Sequence, residues 1–111
     1  MLSLSPATRV FVAVEPVDMR KSFNGLHAAV ETVLAQDILS GHLFLFTNRR
    51  KTRVKAIYWD GSGLVVYAKR LEHGRFGWPV GPGPSRSLRP EELTVLLHGL
   101  EARSRPRWYR R

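Results

Sequence analysis

The chain has 111 residues, 43% of them hydrophobic and none of them cysteine, and it carries a formal charge of +9. That is enough for one modest core and too little for two, and it excludes a disulfide framework and a thiolate metal site. No apolar run approaches the roughly 18 residues needed to cross a bilayer, and Met1 to Pro6 lack the basic head and apolar stretch of a signal peptide, so a cytoplasmic protein with no membrane attachment is expected.

Arg9 to Val14 is a β-branched and aromatic run that reads as a mostly buried strand. Glu15-Pro16-Val17 ends it, and Asp18 is placed to cap a helix of about Met19 to Ala35. Phe23, Leu26, Val30, Val33 and Leu34 give that helix an apolar stripe. Gly25 weakens it by up to about 1 kcal/mol relative to alanine. Residues 36–42 read as a loop and Leu43 to Thr47 as the next strand.

The turn that follows, Asn48-Arg49-Arg50-Lys51-Thr52-Arg53, holds four cations and no acid. Asp60-Gly61-Ser62-Gly63 then supplies two glycines for a tight hairpin turn. If those four residues form the loop, Trp59 faces Leu64, Ile57 faces Val66, Lys55 faces Ala68 and Arg53 faces Arg70. The other face pairs Tyr58 with Val65 and Ala56 with Tyr67. Both faces are apolar near the turn, which reads as a central hairpin covered by a helix on one side. Leu71 to Trp78 is expected to add a short strand around the turn Glu72-His73-Gly74-Arg75.

Residues 79–87, rich in proline and glycine, read as a mobile connector. A second helix starts at Pro90, with Glu91 and Glu92 suited to its N-terminal dipole and Leu93, Leu96, Leu97 and Leu100 as its apolar stripe. Five arginines among the last nine residues, with no acid, give residues 101–111 the composition of a basic, disordered tail. Residues 1–100 are then a single α+β domain: an antiparallel sheet of about four to five strands, one helix on a face and a second, C-terminal helix.

Charge is unevenly placed. Residues 1–48 hold three cations against four acids, −1, and residues 49–111 hold fifteen against five, +10. Arginine-biased codon usage explains fourteen arginines against four lysines, but it does not explain the shortage of acids after residue 48. The asymmetry points to a polyanionic partner, nucleic acid before an anionic membrane surface.

Catalysis is not expected. Asp18, Asp37 and Asp60 are candidates for a two-metal carboxylate set, yet Asp18 reads as a helix cap and Asp60 as a turn former. His27, His42, His73 and His98 lack metal-ligand spacing. Ser22, Ser40 and Ser62 have no nucleophile-elbow context, and no cofactor motif is present.

The strings Pro16-Val-Asp-Met-Arg-Lys-Ser-Phe-Asn-Gly-Leu26, Ser40-Gly-His-Leu-Phe-Leu-Phe46, Tyr58-Trp-Asp-Gly-Ser-Gly-Leu64 and Lys69-Arg-Leu-Glu-His-Gly-Arg-Phe76, with Trp78-Pro79 after them, resemble the accessory protein TnpB of insertion-sequence-66-type transposable elements. The resemblance spans about residues 9–100. It implies a bacterial mobile-element protein that works beside a separate DDE-type transposase. The chain departs from that pattern at Asn24, where an aspartate usually follows the phenylalanine. It departs again at Arg89, where threonine or serine usually caps the last helix.

Two non-enzymatic readings follow. In one, Arg49, Arg50, Lys51, Arg53, Lys55, Lys69, Arg70 and Arg75, extended by Arg20 and Lys21 in the first turn of the first helix, hold DNA by its backbone. In the other, the protein docks on the transposase through Tyr58, Trp59, Tyr67, Phe76 and Trp78. Against both stands the bland reading of core aromatics and solvated cations. No helix-turn-helix or zinc-finger pattern supports base-specific recognition, and the oligomeric state is left open.

Overall fold

Leu43–Thr47 (β2) is buried at all five positions, and Val10–Ala13 (β1) runs parallel to it with Val10, Phe11 and Val12 beside Leu43, Phe44 and Leu45. Continuous apolar sequence is what a strand covered on both faces requires. In the computed structural model, which describes residues 7–99, these strands sit inside a five-stranded sheet. Arg53–Trp59 (β3) and Leu64–Arg70 (β4) extend it on one side and Ser85–Leu88 (β5) on the other, in the order β4-β3-β2-β1-β5.

Two helices sandwich the sheet. Phe23–Thr32 (α1) links the parallel pair β1 and β2, as a crossover helix must. Its Leu26, Ala29 and Val30 pack with Phe44, Phe46 and Ile57 on one face. Pro90–His98 (α2) lays Leu93, Leu96 and Leu97 on the opposite face, over Val10, Val12, Leu43, Leu45, Val54 and Ala56, with Phe76 and Trp78 completing that cluster. Trp78 is held there by its indole N–H, which donates to the carbonyl of Ala13 at 2.7 Å.

The α+β class, the five strands and the two helices agree with expectation, and the register of the β3–β4 hairpin agrees pair by pair from Trp59–Leu64 to Arg53–Arg70. The sheet is mixed, however: β1 and β2 are parallel because α1 returns the chain to the same end. The first helix is shorter than Met19–Ala35. Asp18 does not cap it; its carboxylate accepts from the backbone N–H of Arg20 at 2.9 Å and closes a turn, so the helix begins only after Ser22. With the helix so shortened, Phe23 and Val33 lie 48% and 47% exposed, outside the buried stripe.

Leu71 to Trp78 forms no strand. The fifth strand comes instead from the connector, where Ser85–Leu88 pairs antiparallel with β1. Pro90 does open α2, and Glu92 compensates for the missing cap by accepting from the backbone N–H of Arg89 at 2.8 Å. The basic tail expected at 101–111, and Leu100 of the helix stripe, lie outside the described residues.

Candidate nucleic-acid interface

The loop between β2 and β3 is organised by Asn48. Its side-chain oxygen accepts from the backbone N–H groups of Thr52 (2.9 Å) and Arg53 (3.1 Å), while its amide donates to the Thr52 hydroxyl at 3.1 Å. Beneath it, the buried Thr47 hydroxyl donates to the Arg53 carbonyl at 2.7 Å. These bonds hold a tight loop, with Lys51 at φ +62°, and leave Arg49 and Arg50 exposed at its tip.

A second set of backbone bonds ties that loop to the segment after β4. The Leu71 N–H donates to Thr52 O at 2.9 Å and the Phe76 N–H to Lys51 O at 2.8 Å. Phe76, 1% exposed, is thus an anchor below the loop, and Arg75 beside it is exposed. Gly99, at the end of α2, leaves space for the same segment. A Cβ there would stand 2.8 Å from Leu71 Cδ1 and 3.2 Å from the Arg75 carbonyl.

At this end of the sheet Arg53 sits directly opposite Arg70, two residue pairs from Lys55 and Ala68 and on the same face as them. Like charges placed opposite each other on a sheet are unfavourable by themselves. Met19, Arg53, Lys55, Ala68, Arg70 and Glu72 help line a groove of about 400 Å³. The Lys55 ammonium donates to the Lys21 carbonyl at 2.7 Å, which fastens the segment before α1 to the groove. Glu72 approaches Arg70 only to 3.4 Å, with both side chains more than 60% exposed, so solvent screens the pair.

Not every nominated cation joins this surface. Lys69 borders the groove, but its side chain alternates to the opposite face and its ammonium donates to the Leu97 carbonyl at 2.9 Å, satisfying the C-terminal end of α2. Arg20 forms a 2.7 Å ion pair with Asp18. Its hydrogen bonds, side chain first and backbone second, hold the Asp18 carboxyl down at about 2. Neither Arg20 nor Lys21 lies in the first turn of α1, so the unfavourable helix dipole expected there is absent. The remaining rim is Arg49, Arg50, Lys51, Arg53, Lys55, Arg70, Arg75 and Lys21.

The aromatic docking set also changes. Phe76 and Trp78 are core residues at 1% and 7% exposure and present no surface to a partner. Tyr58, Trp59 and Tyr67 are half-buried, with Tyr58 and Tyr67 packed against the α2 cluster. Sequence reasoning overlooked Asn48, Thr47 and Met19 in the rim. An asparagine ahead of a short loop is the signal that could have found the first of them.

The aspartates belong to turns. Asp60 accepts from the Ser62 N–H and hydroxyl and from the Gly63 N–H, bonds that hold its carboxyl below the usual range. Asp37 accepts from the Leu39 N–H at the start of the short helical turn Ile38–Ser40. Among the described residues no group of three histidines and acids is placed to hold a metal, and no helix is long and apolar enough to cross a membrane.

Comparison with known proteins gives a family match over most of the chain: residues 8–107 fit the model described as IS66 Orf2 like protein. An uncharacterized protein of Sinorhizobium fredii, y4jC, is 40% identical over 101 residues, 91% of this chain and 86% of its own length. A second from the same organism, y4hO, is 38% identical over 103 residues, 93% of this chain and 90% of its own. No solved structure matches.

Proposed function

The chain belongs to the IS66 Orf2-like family, accessory proteins of insertion sequences, and on that premise we propose that it assists transposition by holding DNA on its basic rim. The observation that carries this reading is the cross-strand pair Arg53–Arg70 beside Lys55, at the end of the sheet where Arg49, Arg50 and Arg75 are also exposed. A polyphosphate laid across that end relieves the repulsion between the cations and releases its own counterions.

The protein acts in the cytoplasm beside the transposase of its element, and the chemistry of strand transfer belongs to that enzyme. It needs no cofactor. The rim contains no element shaped to enter a groove, so binding is through phosphates and nearly indifferent to sequence. With about four to six phosphates neutralised, log K against log[salt] has a slope near −4 to −5.

Titration of labelled element-end duplex and of random duplex at several salt concentrations tests both statements, and equal affinities on that slope are expected. A protein that binds neither duplex at low salt, yet captures purified transposase, would be an adaptor without DNA contact, and the rim proposal would fall.

A further inference from the structure

The two edges of the sheet are unlike. β5 is four residues long, reads Ser-Arg-Ser-Leu and has the shortness and charge that keep an edge strand from pairing. β4 is seven residues long and opens Leu-Val-Val-Tyr-Ala. Among the described residues it has a neighbour on one side only. Leu64, Val65, Val66 and Tyr67, on both of its faces, are left half-buried. Such a composition belongs to an interior strand.

The outward groups of β4 can be phased. Asp60 N–H donates to Gly63 O at 3.1 Å, and at the other end Leu71 N–H donates to Thr52 O at 2.9 Å. Antiparallel alternation between them puts the hydrogen-bonded pairs at Tyr58–Val65, Ala56–Tyr67 and Val54–Lys69. The backbone N–H and C=O of Leu64, Val66, Ala68 and Arg70 therefore point away from β3, toward the open edge.

We propose that β4 pairs antiparallel with β4 of a second copy of this chain, about a two-fold axis at Val66. In that register Val66 faces its own copy, Leu64 faces Ala68, and Val65 faces Tyr67, a β-branched and aromatic pair. About six backbone hydrogen bonds close between the copies. The charges decide for a second copy. Lys69 and Arg70 pass beyond the apolar stretch and come opposite the uncharged Gly63 and Ser62 of the other hairpin turn. Two chains of +9 thus meet along the neutral stretch from Leu64 to Ala68, with no cation facing a cation across the seam. The product is a continuous ten-stranded sheet with both α1 helices on one face. Its two Arg53–Arg70 pairs lie roughly 25–30 Å apart along the strand direction, giving two separate anionic-ligand ends per assembly.

The test uses the full chain without DNA, so its outcome is independent of the rim proposal. Light scattering at about 100 μM should give the mass of a dimer, as for an association in the micromolar range. Val66→Pro removes an outward N–H that β3 does not use, at the cost of some packing of the half-buried Val66 side chain on the α1 cluster, and should give a monomer that keeps the circular dichroism of the parent fold. The chain has no cysteine, so Val66→Cys is a single reporter. Facing residues of such a pair are about 5.5 Å apart at Cα, within disulfide reach, and oxidation should cross-link this variant roughly tenfold faster than Ala68→Cys, whose copies are offset along the strand. A monomeric parent chain, a Val66→Pro variant that stays dimeric, or equal cross-linking of the two cysteine variants would each overturn the proposal.

Discussion

Two arginine-bearing regions of this protein use the same side chain for different ends. Around β5 and the start of α2, Arg86 donates to the Val80 carbonyl at 2.6 Å, and Arg89 stands 3.4 Å from Glu92. Glu92 also accepts from the Arg89 backbone N–H, and these bonds keep its carboxyl below the usual range. Each guanidinium there has a local partner and helps shape the chain. At the other side of the sheet, Arg53 confronts Arg70, Arg49 and Arg50 stand at a loop tip, and Glu72 is a screened neighbour. Counting arginines, two against four, would separate the regions only by degree. Their partners separate a structural set from a set placed to receive phosphate.

The largest effect expected comes from the anchor beneath the rim. Phe76→Ala should cost about 3–5 kcal/mol, as for a fully buried aromatic, read as a lower midpoint in urea unfolding. If the cost is under about 1 kcal/mol, the loop is not held from below. Arg53→Ala separates binding from folding. It should weaken duplex binding by about tenfold at about 0.1 M salt, the loss of one phosphate contact, while stability rises by roughly 0.2–1 kcal/mol as the like-charge pair is removed.

Lys69→Met should lower stability by about 1 kcal/mol through loss of the bond to α2, and should leave the salt slope of DNA binding unchanged. A flattened slope would return Lys69 to the rim. The smallest effect concerns Asp18. Its folded pKa lies near 2, below the unfolded value of about 3.9, so its contribution to stability is present above the unfolded value and is lost as pH falls toward 2. Asp18→Asn should abolish that small acid-dependent part of the unfolding midpoint between about pH 4 and pH 2, and it frees Arg20 to steepen the salt slope by up to about 0.9.

The hairpin was legible in the sequence because a four-residue turn with two glycines and an Asx-type acid fixes the pairing of everything that follows it. The α2 start was legible from Pro90 and the acids after it. β5 was not: Ser-Arg-Ser carries no apolar alternation, and it becomes a strand only because β1, more than seventy residues earlier, offers it an edge. The place of Trp78 was hidden for the same reason, since its partner is the carbonyl of Ala13. Of the candidate site, the Arg53–Arg70 juxtaposition could be derived from register. The loss of Lys69 to the other face also follows from strand alternation, once α2 is known to cover that face. The start of α1 was misread because Asp18 can serve a turn as readily as a helix, and Arg20 two residues later draws it to the turn.

The most direct test is the salt dependence of duplex binding by two variants side by side: Arg49, Arg50 and Lys51 all replaced by alanine, and Arg86 and Arg89 both replaced by alanine. The first should flatten the slope of log K against log[salt] by up to about 3 units, with circular dichroism unchanged, and the second should leave the slope as it is in the parent chain. Equal flattening by both variants, or flattening by the second alone, would contradict the assignment of the rim.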